Sequence, residues 1–115
     1  MATRELMLRD PALEGIEKIL FVKRHAFRPS HNYSDYFDAP FRPGGGIFVL
    51  DIPRDGEGLQ PDRASLTSLF ESGGGIARNP SADFEVQRVY FGYRESEPGY
   101  YHVMSMAPDG SDLRQ

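Results

Sequence analysis

The chain has no cysteine. Disulfides, zinc–thiolate sites, cysteine-held iron–sulfur clusters and Cys-x-x-Cys-His haem attachment are therefore excluded from these residues. A missing cysteine leaves the compartment open, because oxidising compartments also hold cysteine-free domains. A basic excess is missing too: 13 Lys and Arg stand against 17 Asp and Glu, a net charge of −4. Nucleic-acid binding needs a basic face to neutralise phosphates, and here Lys23-Arg24 and single arginines are scattered rather than striped. No apolar run approaches the roughly 20 residues that span a bilayer. Met1 to Asp10 carries charges where a signal peptide needs an apolar core. An amphipathic helix is also hard to find. Leu6, Leu8, Leu13 and Ile16 keep no clean helical period, and Pro11 interrupts them. Residues 1–17 read as an irregular or short helical lead-in, with a turn or two of helix at most.

Turn formers and strand formers are abundant. The 12 glycines and 9 prolines suit short strands with many turns. Lys18 to His25 holds the apolar run Ile19-Leu20-Phe21-Val22, expected of a strand covered on both faces. Ile47 to Ile52 is a second strand, ended by Pro53. Arg54 to Arg63 reads as a polar turn region. Ser65 to Phe70 is a short strand or one helical turn by apolar spacing alone, broken by Gly73-Gly74-Gly75. Arg88 to Arg94 and Gly99 to Met106 are rich in aromatic and β-branched residues, which suit a pleated, half-buried surface. Glu95 to Gly99 turns between them, and Asp109-Gly110 marks a tight turn after them. About five strands without intervening amphipathic helices predict an all-β antiparallel meander.

The long connection at 26–46 is the first place to look for chemistry, since long irregular loops are often functional. His31, Tyr33, Asp35, Tyr36 and Arg42 are its candidate ligand-binding residues, with His25 at its start. His25, His31 and Asp35 combine imidazole and carboxylate donors suited to a metal, although their spacing matches no tight motif. Tyr33 or Tyr36 can ligate a haem iron or hydrogen-bond a substrate. Alternatively Tyr33, Tyr36, Phe37 and Phe41 simply pin the loop by burying their rings. Gly44-Gly45-Gly46 and Gly73-Gly74-Gly75 invite comparison with phosphate loops. Neither opens a helix nor carries Lys-Ser/Thr, so tight turns and close backbone approach explain them better. Tyr90, Tyr93, Tyr100 and Tyr101 suggest a stacking platform, but alternation sets Tyr93 opposite Tyr90. No Ser-His-Asp set or carboxylate pair follows from the spacings, and no catalytic residue is assigned.

Pro80, Ser81 and Phe84, then Tyr101 to Met106, then Asp109-Gly110-Ser111 with Leu113-Arg114-Gln115, resemble the TolB-like (PD40, WD40-like) β-propeller repeat. Where that repeat has a turn Asp-Gly, this chain has Glu85-Val86. Valine disfavours positive φ, so a longer turn or another type is expected. Lys18 to Arg24, Pro29-Ser30-His31-Asn32-Tyr33, Phe41 to Ile47 and Gly74 to Arg78 follow one another in the order found in another family. They resemble the start of the middle, propeller domain of hydrazine synthase alpha subunit-like proteins, common in planctomycete-type bacteria.

The resemblance implies that residues 18–115 form a partial β-propeller of about one to one and a half blades, a fragment of a longer ring. At least four blades close a ring, so open strand edges and bare apolar faces are expected, with marginal stability or self-association. It implies a non-catalytic scaffold or interaction surface whose partners are the rest of the propeller or other protein domains. One alternative is a part of a haem-dependent redox enzyme, with the haem held outside these residues. Another is a small-ligand or glycan-binding module built on the 26–46 loop. Relatives of that kind are expected to be exported.

Overall fold

The computed structural model describes residues 2–29 and 40–115. It opens with a two-turn helix, α1 (Ala2–Leu8), and a 3-10 turn at Pro11–Leu13. The Asp10 carboxylate accepts from the Ala12 amide at 2.8 Å, and Pro11 occupies a first-turn position where a missing N–H costs nothing. Eight strands follow: β1 (Lys18–Lys23), β2 (Gly46–Asp51), β3 (Arg54–Asp55), β4 (Gly58–Leu59), β5 (Ser65–Glu71), β6 (Ile76–Ala82), β7 (Val89–Arg94) and β8 (His102–Met106).

They form two three-stranded antiparallel sheets, β1-β2-β5 and β6-β7-β8, and the small β3-β4 hairpin. In the first sheet Leu20 lies opposite Val49 and Val22 opposite Ile47. Strand alternation sends Leu20, Val22 and Ile47 to one face and Ile19, Phe21 and Phe48 to the other. The first set packs on the second sheet. There Ala77, Val89, Phe91 and Met106 are buried with Ile47, and Leu69, Phe70, Tyr93 and Met104 close around them. Phe70 bridges the sheets, 4.8 Å from the Phe91 ring and edge-on to Tyr93 at 4.9 Å. The Tyr93 hydroxyl donates to the Ser72 carbonyl at 3.1 Å, so its one polar atom is satisfied beside the core. Burial, with a smaller push from the Glu95 charge, raises the Tyr93 pKa above the usual tyrosine value.

The architecture is all-β and antiparallel, as the composition implies. Three local expectations need correction. The count of about five strands omits β6, which holds Asn79 and Pro80, residue types depleted in strands. The ladder absorbs them with a register shift between Arg78 and Ser81, Asn79 taking φ +54° and Pro80 sitting in a strand at the sheet's edge. The polar region at 54–63 is not only turn. It contains the β3-β4 hairpin and a 3-10 turn at Pro61–Arg63. The stretch Ser65–Glu71 needs none: it is a strand, as counted among the five, and the one-turn helix that its spacing also allowed does not form.

The third correction concerns Glu85-Val86. The β6-β7 turn is a longer one, as expected, with six residues between the strands, yet Val86 still sits at φ +53°. Its amide donates to the Asp83 carbonyl at 3.0 Å, and the Asp83 carboxylate accepts from the Gln87 amide at 2.7 Å. These bonds hold a β-branched residue in a region that L-residues with a branched Cβ avoid. Val86→Gly should therefore raise unfolding stability by about 0.5–1 kcal/mol, the relieved strain exceeding the added chain entropy. Urea unfolding checks this, and a loss of stability would mean that the Val86 side chain contributes packing that outweighs its strain.

Candidate functional site

The described base of the 26–46 loop is cross-braced. His25 Nε2 lies 3.1 Å from the Pro43 carbonyl, and Arg42 Nη2 donates to the Ala26 carbonyl at 3.1 Å. The Gly44 amide donates to the Gly75 carbonyl, and the Ser72 amide to the Gly45 carbonyl, each at 2.9 Å. So Gly44 and Gly45 are tied to the connection between the two sheets. Arginine faces rest on rings here: Arg24 over Phe27 at 4.1 Å and Arg94 over Phe41 at 4.9 Å. Arg94 Nε also donates to the Gly99 carbonyl at 2.8 Å.

Of the predicted site residues, the structure brings His25 and Arg42 to this base. His31, Tyr33, Asp35 and Tyr36 lie outside the described residues, and with them two of the three suggested metal donors. Among the described residues no three His, Asp or Glu side chains converge. The tyrosine platform divides as alternation requires. Tyr93 faces the core, whereas Tyr90 is exposed on the opposite face. Tyr101 instead lies beneath the Arg78 guanidinium at 5.4 Å.

A second site lies at the other end of the sheets. Between the sheets there lies a half-open cavity of about 620 Å³. One wall is the end of the first sheet, with Leu20, Val49, Thr67 and Leu69; the other is Ala82, Val86 and Val89. Lys18 and Asp51, paired across β1 and β2 at 3.8 Å, and Asp109 contribute its charges. Register explains the first wall. Lys18 opposes Asp51 and Leu20 opposes Val49, and alternation turns both pairs toward the second sheet. No motif in the sequence marks this cavity, because its lining is drawn from two sheets. The one available signal was the shared parity of Lys18, Leu20 and Val22.

Asp109 is set by its own turn. Its carboxylate accepts from the Ser111 hydroxyl at 2.6 Å and the Ser111 amide at 2.9 Å. The hydroxyl bond, with help from the amide bond, holds the Asp109 pKa below the usual aspartate value. The next carboxylate braces the end of the chain. Asp112 accepts from Arg114, and from Arg88 Nη1 at 2.8 Å, and these two guanidiniums lower its pKa. Ser105 and Arg114 exchange backbone hydrogen bonds of 2.8 and 2.7 Å, adding an isolated bridge beside β8. No protein-family profile, curated protein or solved structure matches the chain.

Proposed function

We propose that this chain is a non-catalytic β-propeller segment that acts as scaffold and interaction surface in a larger protein. One observation carries this reading: the first sheet has an apolar face that the second sheet does not cover. Ile19 and Leu66 stand opposite Leu50 on that face, 42% and 53% exposed, while Phe48 on the same face, stacked with Phe21, is buried. Apolar side chains grouped on one face of a sheet are read as a surface meant for another layer. The edge of β1 away from β2 has no strand partner among the described residues, and an unpaired edge is a template for a further strand. Sheet-on-sheet packing already joins β1-β2-β5 to β6-β7-β8, and a propeller extends that contact in both directions around a ring. The sequence pattern around Pro80 and Asp109-Gly110-Ser111 supports the same architecture.

The isolated chain should self-associate in the micromolar-to-millimolar range and bind an apolar dye. Ile19→Lys with Leu66→Lys should return it to a monomer with an unchanged far-ultraviolet spectrum. Sedimentation velocity reads both. A wild-type chain that stays monomeric throughout and ignores the dye would defeat the proposal. A propeller also needs further repeats of the same pattern in the flanking coding sequence. Without them the propeller assignment falls, whatever sedimentation shows of the adhesive face.

A further inference from the structure

We propose that the cavity between the two sheets is a binding site for a small amphiphile with an alkyl body and a cationic head. The inference is independent of the propeller reading, since both walls belong to this chain. The volume, about 620 Å³, is within the usual range for sites that enclose small organic ligands. Leu20, Val49, Leu69 and Val89 supply an apolar lining continuous with the core. Such a lining favours an alkyl chain and gives a polar head nothing to bond.

Charge selects the head. Among the lining groups, one ammonium, Lys18, stands against two carboxylates, Asp51 and Asp109. Lys18 already pairs with Asp51. The bonds from Ser111 favour the ionised form of Asp109, and they engage a single carboxylate oxygen, Oδ1. The residual charge is negative, so a cation is favoured over an anion of the same length. A second observation falls on the same site: Val86, part of the wall, is held at φ +53°. Backbone strain kept by surrounding hydrogen bonds is found at ligand clamps more than elsewhere.

The test uses three probes of equal chain length: n-octylammonium, octanoate and octan-1-ol, each below its aggregation limit. Methyl chemical shifts of the whole chain are followed by NMR. Octylammonium should saturate the shifts of Leu20, Val49, Leu69 and Val89 with one site per chain. Its affinity should exceed that of octanoate by about threefold, a ratio suited to a charge pair on an exposed carboxylate. Asp51→Asn with Asp109→Asn should reverse the ratio in favour of octanoate while alkyl binding persists, because Lys18 is then the one charged lining group and asparagine keeps the acceptor oxygen that Ser111 uses. Equal affinity for the three probes would overturn the proposal, as would no saturable binding or a preference surviving both substitutions. Shifts confined to Ile19 and Leu66 would also overturn it while leaving the adhesive face of the first sheet intact.

Discussion

Phe91→Ala should cost about 3–5 kcal/mol of unfolding free energy. Phe91 is 2% exposed, and its ring lies 4.8 Å from Phe70 of the opposite sheet. Removing it loses the transfer energy of the ring and leaves a hole where the two sheets meet. The hole has little means of closing, because Ile47, Ala77, Val89 and Met106 are held in their ladders around it. A small domain has about 5–15 kcal/mol in total, so the variant should be largely unfolded or have lost near-ultraviolet dichroism. Phe91→Leu keeps most of the volume and should cost much less. Phe84→Ala is the control. Phe84 is fully exposed within the β6-β7 turn, and its removal should change stability by no more than about 0.5 kcal/mol. If Phe84→Ala proved as damaging as Phe91→Ala, the core would have to be redrawn to include that turn.

The contrast between these two phenylalanines shows what the sequence could reveal. Phe91 sits in an alternating run, Val89-Tyr90-Phe91-Gly92-Tyr93, whose parity separates Val89, Phe91 and Tyr93 from Tyr90 without any knowledge of the other sheet. Phe84 was singled out through its place in a repeat pattern, and pattern matching carries no information on burial. Local propensity found β1, β2, β7 and β8 because each is a concentrated apolar or aromatic run. It missed β6, since pairing with β7 overrides the breaker signals of Asn79 and Pro80. The cavity between the sheets was beyond reach for a different reason. Lys18 and Asp109 are ninety-one positions apart, and only the packing of one sheet on the other places both on its lining. Arg42 and His25 were legible as polar residues of a long connection, and their bonds across its base, to the Ala26 and Pro43 carbonyls, emerge only from the fold.

The second large effect is expected at Gly45. Gly45→Ala should destabilise the chain by about 3 kcal/mol or more, from two causes that add. Gly45 takes φ +76°, which an L side chain rarely adopts. A Cβ built there would lie 1.9 Å from the Lys23 carbonyl oxygen and 2.7 Å from its carbon. Both are backbone atoms at the end of β1, so no side chain can swing aside. The β1-β2 ladder would have to open at Lys23 and Gly46, its terminal pair. The neighbouring glycine triplet gives the graded comparison. Gly73 has φ +55° but nothing within 4 Å of an added Cβ, so Gly73→Ala should cost about 1–2 kcal/mol from conformation alone. Gly74 has neither a positive φ nor a close neighbour, and Gly74→Ala should be neutral or slightly stabilising. Urea midpoints in the order Gly74→Ala, Gly73→Ala, Gly45→Ala, falling in that sequence, would identify close backbone approach as the reason for glycine at 45. Equal midpoints for all three would show that these triplets are interchangeable spacers and that the loop base is not rigidly seated on β1.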